Sequence, residues 1–507
     1  MTEKTQARTL IEVLEFGAAD KPALISPDGP TLTYGQLRAQ VNKLMGQLRS
    51  FGITRTDRVG IVLPNGIEVI ASFLAVSGVA TAAPLNAAYK SDEFEFYLDD
   101  TNARAVITGP GASEEAVKAA PKGALHIVVT LDGQGNIDFS GPPSDAFSEE
   151  GDASPNDVAL VLHTSGTTSR PKRVPLTHAN VITSLRNVAA TYELSDKDVS
   201  LCIMPLFHVH GLVASTLGTL QSGGTVIVPP RFNPLNFWPV VKEHGVTWYS
   251  AVPSMHQALL QRAKSRKDDD QAPGSDTLRF IRSCSASLPP ILMLELEEVF
   301  GAPVLEAYGM TEAAHQMASN PLPPGERLPG SVGPGTGVEV AIMDEDGNLV
   351  PQGERAEIVI KGSNVITGYE NNPEANATSF THGWFRTGDE GMLDENGYLT
   401  LTGRLKEMIN RSGEKISPRE IDEVLMDHPA VTEAVAFGVP HAVHGEEASV
   451  AVVLSGEAKP AELVAFCKKR LADFKVPRTI HVMDEIPRGP TGKIQRRVLT
   501  ELFAGSS

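Results

Sequence analysis

Nine residues, 164–172, limit what this chain can fold into more than any other stretch. The apolar run 158–162 just before them is typical of a buried strand. A helical pattern opens just after them near Leu176, with Thr177 or Asn180 as a possible N-cap. Between strand and helix lie five small hydroxyl residues, one glycine and one lysine. Backbone N–H groups in a tight turn, hydroxyl donors and one ammonium together favour a polyphosphate-binding loop.

The spacing of this loop differs from the GxxxxGK[ST] pattern of the Walker A motif. A Ser/Thr-rich surface turn is the alternative explanation of the same residues. The loop therefore needs support from other motifs before it indicates a nucleotide site.

Composition excludes several classes of protein. The 507 residues suffice for two or more domains, and the net charge of −18 argues against binding to nucleic acid. The apolar stretch 69–85 is interrupted by Ser, Gly and Pro, so we expect no integral membrane association. The N-terminus has no signal-peptide pattern, and three widely spaced cysteines give no disulfide framework or zinc spacing. We expect a cytoplasmic protein, as a monomer or homodimer.

Helical and strand patterns alternate along most of the chain, which predicts an α/β fold. From about residue 330 the strands alternate at period two between glycine-rich turns, which predicts a small antiparallel sheet or barrel. We therefore expect a large N-terminal domain, residues 1–403, made of layered α/β subdomains and a small β-barrel. A small, mobile C-terminal α+β domain, residues 404–507, follows it. Loops after the strands of such sheets are where ligands bind.

Four further motifs follow the loop in order. They are Tyr-Gly-Met-Thr-Glu at 308–312, Thr-Gly-Asp at 387–389, Gly-Arg-Leu-Lys at 403–406 and Pro-Thr-Gly-Lys-Ile at 490–494. Each alone is a weak signal, since Gly-Asp is a common turn and Lys493 has basic neighbours. Together and in this order they make the chain resemble the adenylate-forming superfamily, which includes acyl-CoA synthetases, over nearly its whole length.

That resemblance implies an ATP-dependent acid–CoA ligase, which forms an acyl-AMP and then an acyl-CoA with ATP, Mg²⁺ and CoA. It implies catalytic or phosphate contacts for Lys172, Thr311, Glu312 and Lys493, with Mg²⁺ held by Glu312 and Thr168. It implies that Lys406 is the hinge of the C-terminal domain. The other nucleotide- or cofactor-binding residues that it implies are Thr164, Ser165, Gly166, Thr167, Thr168, Ala286, Glu306, Ala307, Tyr308, Asp389, Arg404 and Gly413.

Two positions depart from the superfamily's loop pattern: Ser169 and Arg173 stand where glycine is usual. Arg173 either strains the exit of the loop, if glycine serves there for a positive φ or close packing, or adds a cation beside the phosphates. A non-catalytic nucleotide-binding homologue is the alternative that Arg173 raises.

The acid pocket is predicted to be polar. His210, Ser285 and His315 follow strand ends and supply hydrogen-bond donors, or positive charge where a histidine is protonated. Together with the segments 84–89, 94–98, 163–172, 280–287 and 303–312, they resemble the oxalate–CoA ligase branch known from plants and yeast. In that branch the residues matching these three hold the distal carboxylate of oxalate.

Other substrates and classes stay open. Malonate, a medium-chain fatty acid or a hydroxycinnamate are alternative acids, although the last two suit apolar pockets better. A carrier-protein adenylation domain is disfavoured because the chain ends soon after Lys493. A luciferase-like oxygenase is disfavoured because a polar pocket does not suit a large heteroaromatic substrate.

Overall fold

The computed structural model describes residues 6–144, 151–164, 171–265, 276–441, 443–489 and 493–504. Four of the predicted phosphate-loop residues, Ser165, Gly166, Thr167 and Thr168, lie outside the described residues. So does most of the charged segment 264–276, which the sequence predicts to be a loop.

A seven-stranded, mostly parallel sheet carries the phosphate loop at one edge. Its strand order is Ile137–Ser140, Leu125–Leu131, Ala105–Thr108, Arg58–Val62, Thr81–Leu85, Val158–Thr164 and Lys172–Thr177. The last two strands are antiparallel, with Thr164 opposite Lys172. The described residues on either side of the loop thus form two antiparallel strands, whereas the sequence predicted a strand followed directly by a helix. The second strand begins with the polar residues Lys172 and Arg173, so its sequence lacks the apolar pattern that is typical of a buried strand.

An eight-stranded sheet supplies most of the remaining site. Its strand order is His315–Ser319, Val304–Met310, Phe280–Ser283, Trp248–Ala251, Val199–Leu201, Thr225–Ile227, Pro22–Ile25 and Thr31–Thr33. The second to fourth of these strands run parallel, so their carboxyl ends meet at one edge. The run 278–281 was predicted as a strand, and the observed strand begins two residues later, at Phe280.

The predicted β subdomain after residue 330 is an antiparallel sheet of five strands: Glu339–Met343, Ala356–Lys361, Phe380–Thr381, Trp384–Leu393 and Leu399–Arg404. Beyond it, another five strands form a sheet with its own apolar core: Ile409–Arg411, Glu414–Ile416, Val431–His441, Gly445–Leu454 and Thr479–Val482. The boundary at 403/404 falls within the last strand of the first of these sheets, and as a domain boundary it stays a prediction.

Helices cover both faces of the two large sheets and pack on the C-terminal sheet. The α-helices are Tyr34–Ser50, Ile67–Val79, Ser91–Thr101, Glu114–Ala119, His178–Thr191, Gly218–Gln221, Phe237–His244, Pro253–Lys264, Pro290–Phe300, Pro373–Ser379, Pro418–Met426, Pro460–Lys468 and Arg496–Phe503. The 3-10 turns are Glu12–Phe16, Thr311–Ala313, Leu405–Glu407 and Asp473–Lys475, and His210–Leu217 is a π-helix. Within the described ranges, no helix has the length and apolar character needed to cross a membrane.

The helix after the hairpin begins where the sequence predicted. Thr177 is its N-cap and accepts a hydrogen bond from the Asn180 backbone N–H, while the Asn180 side chain accepts one from the Thr177 N–H. This reciprocal capping box satisfies two N–H groups that the helix itself leaves unpaired. It also fixes the direction of the chain as it leaves the phosphate hairpin.

Replacing Thr177 with Ala removes this cap, so we expect a loss of about 1 kcal/mol in the free energy of unfolding. Urea unfolding followed by circular dichroism measures it. Thr183→Ala is the matched control, because the Thr183 hydroxyl only donates to the Ala179 carbonyl within the same helix. Equal losses in the two variants would contradict the capping role.

Candidate active site

The carboxyl edge of the eight-stranded sheet gathers residues that lie far apart in sequence. Ser250 is in register with Arg282, and Arg282 with Leu305, across three parallel strands. The antiparallel strand His315–Ser319 completes the group by pairing Met310 with His315. The ends of these strands therefore converge here, where loops after strands are expected to bind ligands.

A buried cluster of tyrosine, aspartate and arginine joins this edge to the small antiparallel sheet. The Tyr308 hydroxyl donates a short hydrogen bond to Asp389, which also pairs with Arg404 through Nε at 2.7 Å and Nη2 at 3.4 Å. Burial and the nearby Asp389 carboxylate raise the pKa of Tyr308 well above its ordinary value. The structure thus brings together three of the predicted nucleotide-binding residues and fixes the Asp389 carboxylate.

Glu306 lies two residues before Tyr308 in the same strand and is fully buried. Its Oε1 accepts the Leu288 N–H at 2.9 Å, while Oε2 has no hydrogen-bond partner among the described residues. Burial raises the pKa of this carboxyl group from 4.5 to about 7. Glu306 is thus a buried acid with one free oxygen next to the predicted adenine residue Tyr308.

A second group of predicted residues surrounds Tyr369. The Tyr369 hydroxyl donates to Glu312 Oε1 at 2.7 Å, and the Lys172 ammonium lies 4.4 Å from the centre of the Tyr369 ring. Burial lowers the pKa of Lys172, the Glu312 carboxylate opposes that shift, and the Lys406 cation adds to it. The three side chains therefore lie close enough to interact electrostatically. Glu312 Oε2 makes no hydrogen bond to a described residue. One free carboxylate oxygen beside a phosphate loop fits Mg²⁺, which prefers a single carboxylate together with substrate phosphates.

The three predicted acid-binding residues also meet. His210 Nδ1 lies 2.9 Å from Ser285 Oγ, and the rings of His210 and His315 are 5.4 Å apart between centroids. His210 opens the π-helix, a rare conformation that often marks functional sites. Ser285 and His315 have φ values of +74° and +127°, which is strained for residues with side chains.

Both histidines of this pocket are neutral. Burial is the main cause that lowers the pKa of His210 and of His315 well below 6.5, and the Arg282 and Lys493 cations lower both further. A protonated histidine as the source of positive charge, which the sequence allowed, is therefore wrong for this structure. The charge comes from Arg282, which is fully buried and within hydrogen-bond range of both rings.

Sequence reasoning missed Arg282, Ser250, Tyr192 and Tyr369. A buried arginine within the strand Phe280–Ser283 was a possible signal, because a charged side chain in a central strand needs partners. Those partners come from four separate segments, and no local pattern shows them.

Lys493 reaches this site from the C-terminal domain. Its pKa is lowered because neighbouring protein atoms displace its hydration and Arg404 repels it, while Cys284, Asp389 and Glu312 oppose the shift. Burial lowers the pKa of His208 to about 3, and the cation of the exposed Lys493 adds to that shift. The predicted catalytic lysine thus lies between the cluster of Tyr308, Asp389 and Arg404 and the histidine pocket.

The remaining predicted residues divide into two groups. Thr164, Thr311, Ala286 and Ala307 lie on the loops and strands around the pocket. Gly413 stands apart, in the turn between Ile409–Arg411 and Glu414–Ile416, where its N–H bonds Asn410 in the same hairpin at 3.1 Å. Its φ of +90° explains the glycine.

Arg173 neither strains the loop exit nor faces the phosphates. It occupies a regular strand position opposite His163, and its φ is not positive. Its guanidinium lies 3.5 Å from Asp100 and 3.4 Å from Glu370, which also pairs with Arg58 at 2.8 Å. Arg173 therefore fastens the hairpin to the helix Ser91–Thr101 and to the segment that carries Tyr369.

The sequence pattern of the AMP-binding enzyme family matches residues 15–370, and that of the AMP-binding enzyme C-terminal domain matches residues 420–493. The chain belongs to the AMP-binding enzyme family.

Two relatives identify the class of reaction. The chain is 46% identical to an oxalate–CoA ligase of Arabidopsis thaliana, over 97% of this chain and 98% of that protein. It is 42% identical to an oxalate–CoA ligase of Saccharomyces cerevisiae, over 97% and 96%. The protein is an AMP-forming acid–CoA ligase, and the non-catalytic alternative is not supported.

Two structures of one bacterial protein also report on domain arrangement. The chain superimposes on ATP-bound MatB from Rhodopseudomonas palustris with a TM-score of 0.89, at 30% identity over 98% of this chain and 99% of that one. With apo MatB the TM-score falls to 0.77 at the same identity and coverage. The whole chain therefore superimposes better on the ATP-bound form than on the apo form.

Replacing Arg173 with Gly, the residue usual in the superfamily, should lower stability and activity. Asp100 and Glu370 would lose a partly buried cation, which we expect to cost about 2 kcal/mol of unfolding free energy. Urea unfolding and AMP release measure both effects. Arg104→Gly is the control, because Arg104 donates only to the Gly123 carbonyl at the surface. Higher activity in Arg173→Gly would contradict this role and would indicate that Arg173 impairs catalysis.

Glu306→Gln should stabilise the protein more at pH 8 than at pH 5. The unfolded chain releases this proton near pH 4.5 and the folded protein near pH 7, so wild type loses stability as the pH rises between these values. The loss amounts to about 3 kcal/mol at pH 8 and to about 1 kcal/mol at pH 5. Urea midpoints at pH 5 and pH 8 test it, with the exposed Glu298→Gln as control. An equal gain at both pH values would exclude ionisation as the cause.

Proposed function

We propose that this enzyme converts oxalate, ATP and CoA to oxalyl-CoA, AMP and pyrophosphate. The observation that carries the proposal is the acid pocket, where the buried His210 and His315 and the partly buried Ser285 converge under the influence of two cations, Lys493 and Arg282. Two cations suit a small dianion, because each carboxylate can lie near one of them. The oxalate–CoA ligases among the relatives support the same acid.

In the first step an oxalate oxygen attacks the α-phosphorus of ATP, and the bond to the leaving pyrophosphate breaks. Lys493 stabilises the negative charge that develops between carboxylate and α-phosphate, from a position already set by the protein. Tyr308, Asp389 and Arg404 hold the adenosine, with Asp389 accepting the ribose hydroxyls. Lys172 and Thr311 contact the phosphates.

Glu312, together with Thr168, would hold Mg²⁺. When bound, this ion neutralises phosphate charge and orients the pyrophosphate. Tyr369 orients the Glu312 carboxylate through its hydroxyl, and that leaves Oε2 for the metal.

In the second step the CoA thiolate attacks the oxalyl carbon and AMP leaves. Lys493 serves the first step, so we propose that the C-terminal domain turns about Lys406 between the steps and brings the Gly413 hairpin to the CoA channel. Such a domain movement is commonly part of the catalytic cycle.

Malonate is the second candidate acid, since a slightly longer dicarboxylate carries the same two charges. A fatty acid or hydroxycinnamate would leave these buried donors without acceptors, which is costly. We place the reaction in the cytoplasm, because all three cysteines are buried free thiols, as in a reducing compartment. The oligomeric state, monomer or homodimer, stays part of the proposal.

The function is tested by AMP release and acyl-CoA formation with Mg-ATP and CoA across oxalate, malonate, acetate, octanoate and coumarate. We expect turnover on oxalate above all others. Turnover on octanoate or coumarate without oxalate would overturn the acid assignment and leave the ligase class intact.

Lys493→Ala should lower the oxalate-dependent ATP–pyrophosphate exchange at least about 100-fold, because a preorganised charge in the transition state is lost. The binding of ATP should change little. Lys468→Ala, on the outer face of the C-terminal domain, is the matched control. Exchange that survives in Lys493→Ala would remove this lysine from the first step.

A further inference from the structure

Arg282 is a buried cation without a buried anion. Its five N–H groups have five acceptors: Tyr192 Oη at 2.7 Å, Ser250 Oγ at 3.0 Å, Gln316 Oε1 at 3.2 Å, His210 Nε2 at 3.4 Å and His315 Nδ1 at 3.5 Å. All five acceptors are uncharged groups, and Arg282 makes no ion pair with a carboxylate among the described residues. A buried charge is normally paired, so this environment favours the binding of an anion.

An arginine can only donate, and this fixes the direction of the hydrogen bonds around it. Arg282 directs an N–H at His210 Nε2 at 3.4 Å, which makes that nitrogen an acceptor, and the Ser250 hydroxyl therefore donates its proton to it at 2.6 Å. His210 must then carry its proton on Nδ1 and donate to Ser285 Oγ at 2.9 Å. The Ser285 proton has no acceptor in this chain of bonds and is free for one in the pocket.

The same argument holds for His315. Its Nδ1 accepts from Arg282, so the proton lies on Nε2. That nitrogen bonds to no described residue. Arg282 therefore directs two separate donors, the Ser285 hydroxyl and His315 Nε2–H, into the pocket.

We propose that Arg282 is a specificity-determining positioning residue: acting through Ser250, His210 and His315, it makes the pocket donor-only and supplies the positive charge for the second carboxylate of the acid. This inference rests on the proposed function, because oxalate is its intended anion. Arg282 selects for the charge of that second group, whereas the pocket's size selects for its length.

The comparison of oxalate with glyoxylate isolates the charge. Glyoxylate has nearly the same size and still offers an acceptor oxygen, but the group at that end is neutral. Wild-type enzyme should favour oxalate in kcat/KM, while Arg282→Met should raise the KM for oxalate about 100-fold and leave the KM for ATP unchanged. The ratio of the two acids should fall at least about tenfold.

A pH profile separates this role from a structural one. His210 faces Arg282, His315, Lys493 and His256, and His315 faces Arg282 and Lys493. Without Arg282, the pKa of both histidines rises toward the ordinary 6.5, so protonation can replace part of the lost charge. Oxalate turnover by Arg282→Met should therefore recover partly from pH 8 to pH 6, and wild type should show no such gain.

Two further variants complete the test. Arg282→Lys keeps a cation and should keep most of the preference for oxalate. Arg279→Met is the matched control, since Arg279 lies three residues earlier and pairs with Asp198 at 2.5 Å outside the pocket. If Arg282→Met does not fold, Arg282→Gln keeps a polar but uncharged side chain and should show the same loss of preference.

The inference is overturned if the oxalate-to-glyoxylate ratio is unchanged in Arg282→Met or Arg282→Gln. It is also overturned if turnover falls equally with both acids without recovery at pH 6. If wild type uses malonate in place of oxalate, the proposed function fails. The ratio of kcat/KM for malonate to that for acetate, compared between wild type and Arg282→Met, then tests the role of Arg282. Turnover by wild type on monocarboxylates alone would overturn both.

Discussion

The parallel register between the strands Trp248–Ala251 and Phe280–Ser283 is the constraint on which the acid pocket depends. It places Ser250 beside Arg282, and the next strand leads to Tyr308 and then, through one tight turn, to His315. Gly309 makes this turn possible, because a Cβ there would lie 2.1 Å from the His315 carbonyl oxygen. One sheet edge thus sets the positions of the histidines, the arginine and the adenine-side tyrosine at once.

Local chemistry made parts of the fold and site predictable. Thr177 and Asn180 predict the start of a helix, because a capping box involves only two residues that lie three positions apart in the sequence. The alternation of helices and strands predicted the layered fold, and motifs such as 308–312 identified residues that do meet around Lys493. These features depend on a few neighbouring residues, and a sequence carries such information directly.

Arg173 and Arg282 show where that information ends. Arg173 departs from a local pattern, yet its partners Asp100 and Glu370 lie 73 and 197 positions away, so its role depends on tertiary packing. Arg282 lies in an ordinary strand pattern, and its proposed role follows from five uncharged partners that four other segments supply. The wrong expectation of protonated histidines has the same cause, since burial and Arg282 together decide their charge.

A cation without its counterion has a consequence for the life of the enzyme. The acid-free protein carries an unbalanced interior charge, and an anion bound only by the folded state shifts the folding equilibrium by mass action. The substrate is then also a structural ligand of its own enzyme. Such an anion would raise the free energy of unfolding while it is bound, and its depletion would lower that free energy again.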